Sequence, residues 1–96
     1  MNILSIFKRK PTKIKRSFVI LNKHPEIGDK VVLNDLALDK IDCKTIEQRQ
    51  FFADEVFEIV KKDVYIWRGI LLYLNTGTTL WNDEVLIVSK DTPLRS

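Results

Sequence analysis

Few residues of this chain are of types that do chemistry, and their spacing limits what that chemistry could be. His24 is the only histidine and stands beside Pro25. Acid–base work by an imidazole needs a partner acid or nucleophile within hydrogen-bond reach, and no neighbour in sequence offers one. An exposed or loop-bracing histidine is the expectation. Cys43 is the only cysteine. With no histidine at a spacing that would activate it, an inert thiol is expected rather than a nucleophile. A lone cysteine also excludes an internal disulfide and a zinc site built on paired cysteines.

Asp35, Asp39 and Asp42 are spaced i, i+4, i+7 and would share one face of a helix. Hard cations need several oxygens at fixed angles, and an EF-hand loop alternates Asp or Asn around a central Gly. That alternation is missing, so the expectation is a solvated acidic face, with no metal and no cofactor. Asp54, Glu55 and Glu58 read the same way. Gly28, Gly69 and Gly77 stand too far apart to cradle a phosphate. Convergent catalytic groups are lacking, and a non-enzymatic chain is expected.

Binding residues are better represented. On one unbroken strand from Val64 to Leu74, Tyr65, Trp67 and Tyr73 fall on one face, with Val64, Ile66, Ile70 and Leu72 on the other. If the aliphatic face is the buried one, the aromatics meet solvent with Arg68 at their edge. Tyr, Trp and Arg are favoured at the centres of protein interfaces, and aromatic rings also stack on unpaired bases. The competing arrangement puts the aromatics under a helix, and a bulge at Gly69 would exchange the faces.

The first sixteen residues, MNILSIFKRKPTKIKR, carry Lys8, Arg9, Lys10, Lys13, Lys15 and Arg16 and no acid. The other eighty hold ten bases and thirteen acids, so the net charge of +3 is a +6 arm on a −3 body. Three roles suit the arm. It could neutralise up to six phosphates, hold weakly to a membrane surface through Ile3, Leu4 and Phe7, or serve as a solubilising tail. The acidic body argues against a dedicated nucleic-acid binder, which spreads positive charge over its folded face. The apolar run from Ile3 to Phe7 is too short for a signal-peptide core or a membrane span, and its charges follow it, so a cytoplasmic chain is expected.

The elements that must position these groups follow from the pattern. Ninety-six residues, 45% hydrophobic and 30% charged, suit one globular domain. The expected division is a basic arm over 1–12, the domain over 13–90 and a frayed tail over 91–96. KIKRSFVILN (13–22) predicts a strand, 23–29 a loop containing Pro25 and Gly28, and KVVLN (30–34) a second strand in a hairpin with the first. DLALDKID (35–42) fits a continued strand or a helical turn. Thr45 with Gln48 predicts a capping box. Ile46, Arg49, Phe52, Val56, Ile59 and Val60 then keep helical spacing, with Lys61 and Lys62 in the last turn against the helix dipole. Beyond the β-rich 64–74 stretch, Asn75-Thr76-Gly77 predicts a turn, and TTLW, Asn82-Asp83 and EVLIVS predict strand, turn and strand.

The predicted fold class is α+β: a single small domain with an antiparallel sheet, in the order β-β-α-β-β-β, packed on one amphipathic helix and curled toward a small barrel. The predicted role is that of a binding protein docking sterically on a protein partner. Tyr65, Trp67, Arg68 and Tyr73 would make the contact, and the six arm charges would steer it to an acidic surface. Nucleic-acid binding through residues 8–16 and the aromatic face is the alternative. A homodimer through a β edge is an extension of the first reading. The abundance of Lys, Ile and Asn in so small a chain suits an accessory protein of a phage or mobile element.

Overall fold

The structure, a computed structural model, describes residues 15–93. Lys8, Arg9, Lys10 and Lys13 lie outside the described residues. In chain order the elements are β1 (Ile20–Leu21), β2 (Lys30–Leu33), α1 (Asp35–Asp39), α2 (Ile46–Ala53), β3 (Phe57–Tyr65), β4 (Gly69–Leu74), β5 (Thr79–Trp81), a 3-10 turn (Asn82–Glu84) and β6 (Val85–Val88). The strands form one antiparallel sheet of six, ordered β1-β6-β2-β3-β4-β5. Its edges, β1 and β5, do not pair with each other, so the sheet is not closed into a barrel.

Among the described residues two helices pack on the sheet where one was expected. The ambiguous 35–42 stretch begins as α1 because Asn34 caps it: the Ala37 N–H donates to Asn34 Oδ1 at 3.0 Å. Asn34 Nδ2 also donates to the Asp83 carbonyl at 2.7 Å, which ties the start of α1 to the 3-10 turn. Thr45 caps α2 as its position predicts, Oγ1 accepting the Gln48 N–H at 3.1 Å. The return bond from Gln48 Oε1 reaches Lys44 N at 2.7 Å, one residue before the cap.

The predicted helix to Lys62 stops instead at Ala53, and Lys61 and Lys62 belong to β3. Val56, Ile59 and Val60 mimic helical spacing, but that stripe leaves Phe57 unused. As a strand the segment buries both Phe57 and Ile59 in the core. The expected hairpin of the first two strands is likewise replaced, since β1 pairs with β6 at Ile20↔Val88 and Leu21↔Ile87. Every residue of β6 (VLIV) is apolar, which suits a strand with neighbours on both edges and cover on both faces.

The core lies between the helices and the sheet. Val31, Leu33, Leu38, Ala53, Phe57, Ile59, Leu72, Leu74 and Ile87 are buried together. On the opposite side of β2 and β6, Val32 and Val88 pack with Val56 and Phe18. The chain before β1 is fastened to the helices: Lys15 N donates to Gln50 Oε1 at 2.8 Å, and Gln50 Nε2 donates back to Lys15 O at 2.9 Å. At the other end Lys30 Nζ donates to the Thr92 carbonyl at 2.8 Å.

Candidate docking site

The 64–74 stretch is a hairpin, not the unbroken strand that its composition suggests. β3 and β4 pair from Ile59↔Leu74 to Tyr65↔Gly69, and Ile66, Trp67 and Arg68 make the turn. Arg68 N donates to the Tyr65 carbonyl at 3.2 Å to close it. Gly69 follows with φ +127°, a conformation that L side chains rarely adopt, and a Cβ there would stand 2.9 Å from Asn82 Oδ1. That oxygen accepts the Ile70 N–H at 3.2 Å, so the turn is locked to the 3-10 segment.

Pairing sets the faces. Leu72 is fully buried among core residues, and Ile70, Leu80 and Leu74 pack on the same side. Lys61, Asp63, Tyr65, Leu71, Tyr73 and Trp81 occupy the other side, by the registers Lys61↔Tyr73, Asp63↔Leu71 and Leu71↔Trp81. Tyr65 and Tyr73 therefore share the outer face, while Trp67 reaches it from the turn. Tyr65, Trp67 and Trp81 form a three-ring cluster with centroids 5.5–5.7 Å apart. The Arg68 guanidinium lies over Trp81, 4.6 Å from the ring centre, and grips Asp83 with both terminal nitrogens at 3.0 and 3.3 Å.

Tyr73 stands apart, further down the face. Its hydroxyl donates to Asp63 Oδ2 at 2.9 Å, and Lys61 Nζ lies 5.0 Å from its ring centre. The hydrogen bond to Asp63, then burial, holds the phenol above its ordinary pKa. Trp81 was not among the residues that sequence reasoning singled out; its signal was the alternation of Leu80 inward and Trp81 outward in TTLW.

The tip itself is bare. Ile66 is 102% exposed, Trp67 76% and Val64 70%. Two large apolar side chains, Ile66 and Trp67, thus project from a turn whose base is held by stacking and ion pairing, and the exposed Val64 precedes them in β3 on the face opposite Tyr65. Lys15 and Arg16, the two arm charges within the described residues, sit against the helices instead, with Arg16 3.6 Å from Asp35. Asp39 pairs with Arg49 at 2.9 Å, so two of the three spaced aspartates bind arginines across the surface.

The remaining sequence candidates are dispersed. His24 is exposed and borders a crevice of about 190 Å³ with Lys23, Asn82 and aliphatic side chains. Cys43 is a half-buried free thiol. A second crevice of about 430 Å³ lies between α1, α2 and β5, with Leu33, Ile41, Phe52 and Phe57 inside and the Lys40–Glu84 ion pair at its side. Among the described residues no group of three or more His, Cys, Asp or Glu is placed to hold a metal ion, and no helix is long and apolar enough to cross a membrane. Comparison with protein-family models, curated proteins and solved structures finds no match.

Proposed function

We propose that this chain is a non-enzymatic binding module that docks on a protein partner through the β3–β4 hairpin and acts by occupying that partner's surface. The observation that carries the reading is the exposure of Ile66 and Trp67 at the hairpin tip, with the exposed Val64 next to it in β3. Contiguous exposed apolar side chains mark interaction sites, and a Trp with an Arg beside it is the usual make-up of an interface hot spot. The tip is also preorganised. Tyr65, Trp81 and the Arg68–Asp83 pair fix it before any partner arrives, which lowers the entropy lost on binding.

Base stacking suits the same residues less well. The rings of Tyr65, Trp67 and Trp81 lie tilted or edge-on to one another rather than as open platforms, and Asp83 neutralises Arg68. The test compares the full chain with an Ile66→Ser/Trp67→Ser variant as baits under crosslinking, alongside single-stranded and duplex DNA across a salt series. The expected result is a protein complex lost in the variant and no DNA binding at physiological salt. Duplex binding with a log–log salt slope of about −5, abolished by changing Lys8, Arg9, Lys10, Lys13, Lys15 and Arg16 to Gln, would replace this reading with nucleic-acid binding.

A further inference from the structure

The hairpin carries a second feature: one edge of β3 is open. β2 pairs with β3 only at Phe57 and Glu58. Ile59 extends the contact by one residue, its N–H donating to the Asp29 carbonyl at 2.9 Å and its carbonyl accepting from Gly28 N at 2.8 Å. The turn from Glu26 to Asp29, with Gly28 at φ +96°, ends the pairing there. Among the described residues no strand flanks that edge from Lys61 to Tyr65.

Which peptide groups face the gap follows from alternation. In a strand, side-chain face and peptide direction alternate together. Ile59 puts its side chain in the core and its peptide groups toward β2. The register shifts between Ile59 and Lys61, after which Lys62 and Val64 stand opposite Leu72 and Ile70 on the core side. Lys62 and Val64 therefore direct their N–H and C=O groups out at the open edge.

We propose that this edge accepts an extended acidic segment of the protein partner as an added strand. The inference rests on the reading of the hairpin as a protein-docking surface. Main-chain bonds would supply affinity and alternate side chains specificity. The charge decides the occupant. Exposed Lys61 and Lys62 lie on the two faces of the strand and outnumber Asp63, the one acid between them and Tyr65, which keeps its charge while accepting from the Tyr73 hydroxyl. Lys62 Nζ donates to the Pro25 carbonyl at 3.2 Å, a neutral acceptor that leaves its charge uncompensated. Edge lysines discourage pairing with like-charged edges, so a second copy or a basic segment is disfavoured. An acidic side chain beside each lysine and an apolar one beside Val64 complete the fit. The open stretch accommodates a segment of about 17 Å at the usual strand rise.

The test uses the ¹⁵N-labelled full chain and three capped hexapeptides: a Glu–Val peptide, Thr-Val-Thr-Glu-Glu-Thr, which in antiparallel register sets Glu beside Lys61 and Lys62 and Val beside Val64; its counterpart with Lys for Glu; and the Glu–Val peptide N-methylated at alternate residues. The Glu–Val peptide alone is expected to bind, with amide shifts concentrated from Val60 to Tyr65. Val64→Pro removes one outward N–H while leaving the ladder to β4 intact, and should weaken binding by about tenfold, the equivalent of one lost hydrogen bond. Equal binding of the N-methylated peptide, indifference to peptide charge, or shifts centred on Ile66, Trp67 and Trp81 would overturn strand addition. If the Glu–Val peptide fails to bind while Ile66→Ser/Trp67→Ser still abolishes the protein complex, strand addition falls and tip docking stands.

Discussion

Arg68 stacks on Trp81 and holds Asp83 at the same time, so a single side chain joins the hairpin turn to β5 and to the 3-10 segment behind it. The guanidinium plane makes both contacts possible, since its face meets the ring while its edge meets the carboxylate. Arg68→Lys keeps the charge and loses the fork. It is expected to cost about 0.5–1 kcal/mol in urea unfolding, and Arg68→Ala about 1 kcal/mol or slightly more. A Lys variant as stable as the wild type would mean that the stacking contributes nothing beyond charge.

The two tryptophans should report this arrangement separately. Trp67 is mostly solvated and Trp81 is half-buried under Arg68 and Tyr65. A Trp67→Phe protein, lit only by Trp81, is expected to emit at shorter wavelength and resist acrylamide quenching. A Trp81→Phe protein should emit like free indole in water. Because Ile66 and Trp67 bury so little area, Ile66→Ser/Trp67→Ser should cost no more than about 1 kcal/mol in stability. Loss of partner binding in that variant would then be read at the surface and not through unfolding.

Gly69 is fixed by two independent constraints. Its φ of +127° is strained for any L side chain, and its missing Cβ leaves room for Asn82 Oδ1. Gly69→Ala is expected to destabilise the chain by about 2–3 kcal/mol in urea unfolding. Gly77 offers the control. It also has positive φ, but nothing lies within 4 Å of the place a Cβ would occupy, so Gly77→Ala should cost about 1 kcal/mol, the backbone term alone. Equal costs at the two glycines would show that the Asn82 contact gives way freely.

Local signals in the sequence carried a good part of this fold. Thr45 and Gln48 mark the start of α2 and Asn75-Thr76-Gly77 marks the β4–β5 turn, whereas Tyr65 and Tyr73 share a face through the Tyr65↔Gly69 pairing of a hairpin and not through alternation along one strand. What failed were the competitions that only tertiary contacts decide. Val56, Ile59 and Val60 satisfy a helical stripe as well as a strand, and pairing with both β2 and β4 settles residues 57–65 as β. The all-apolar VLIV of β6 suits a central strand, but nothing local says that its neighbours are β1 and β2. Trp67 keeps company with Tyr65 because a turn swings it there, a relation that strand arithmetic could not supply.

Glu84 links the acid–base behaviour of the chain to its packing. It is only 5% exposed and accepts from Trp81 N at 2.9 Å and from Lys40 Nζ, which reaches it from the end of α1. Burial pushes its carboxyl up, but the Lys40 bond, the Trp81 N–H and the Lys40 charge together outweigh burial and leave the group below its ordinary value. A carboxyl depressed in the folded state stabilises the fold at pH above its unfolded value, and that contribution disappears as pH falls through the folded value. Glu84→Gln should therefore cost about 1–2 kcal/mol at pH 7, when the ion pair is complete. The gap between variant and wild type should narrow below about pH 4, where the unfolded carboxyl itself begins to hold its proton. Urea unfolding at a series of pH values from 7 to 3 measures it. A gap that stays constant across the series would mean that the Gln variant loses packing rather than charge. Lys40→Met tests the same pair from the other side: it leaves the carboxylate buried without its cation, which raises the folded carboxyl, so the variant should be less stable at pH 7 and lose less stability than the wild type as pH falls to 3.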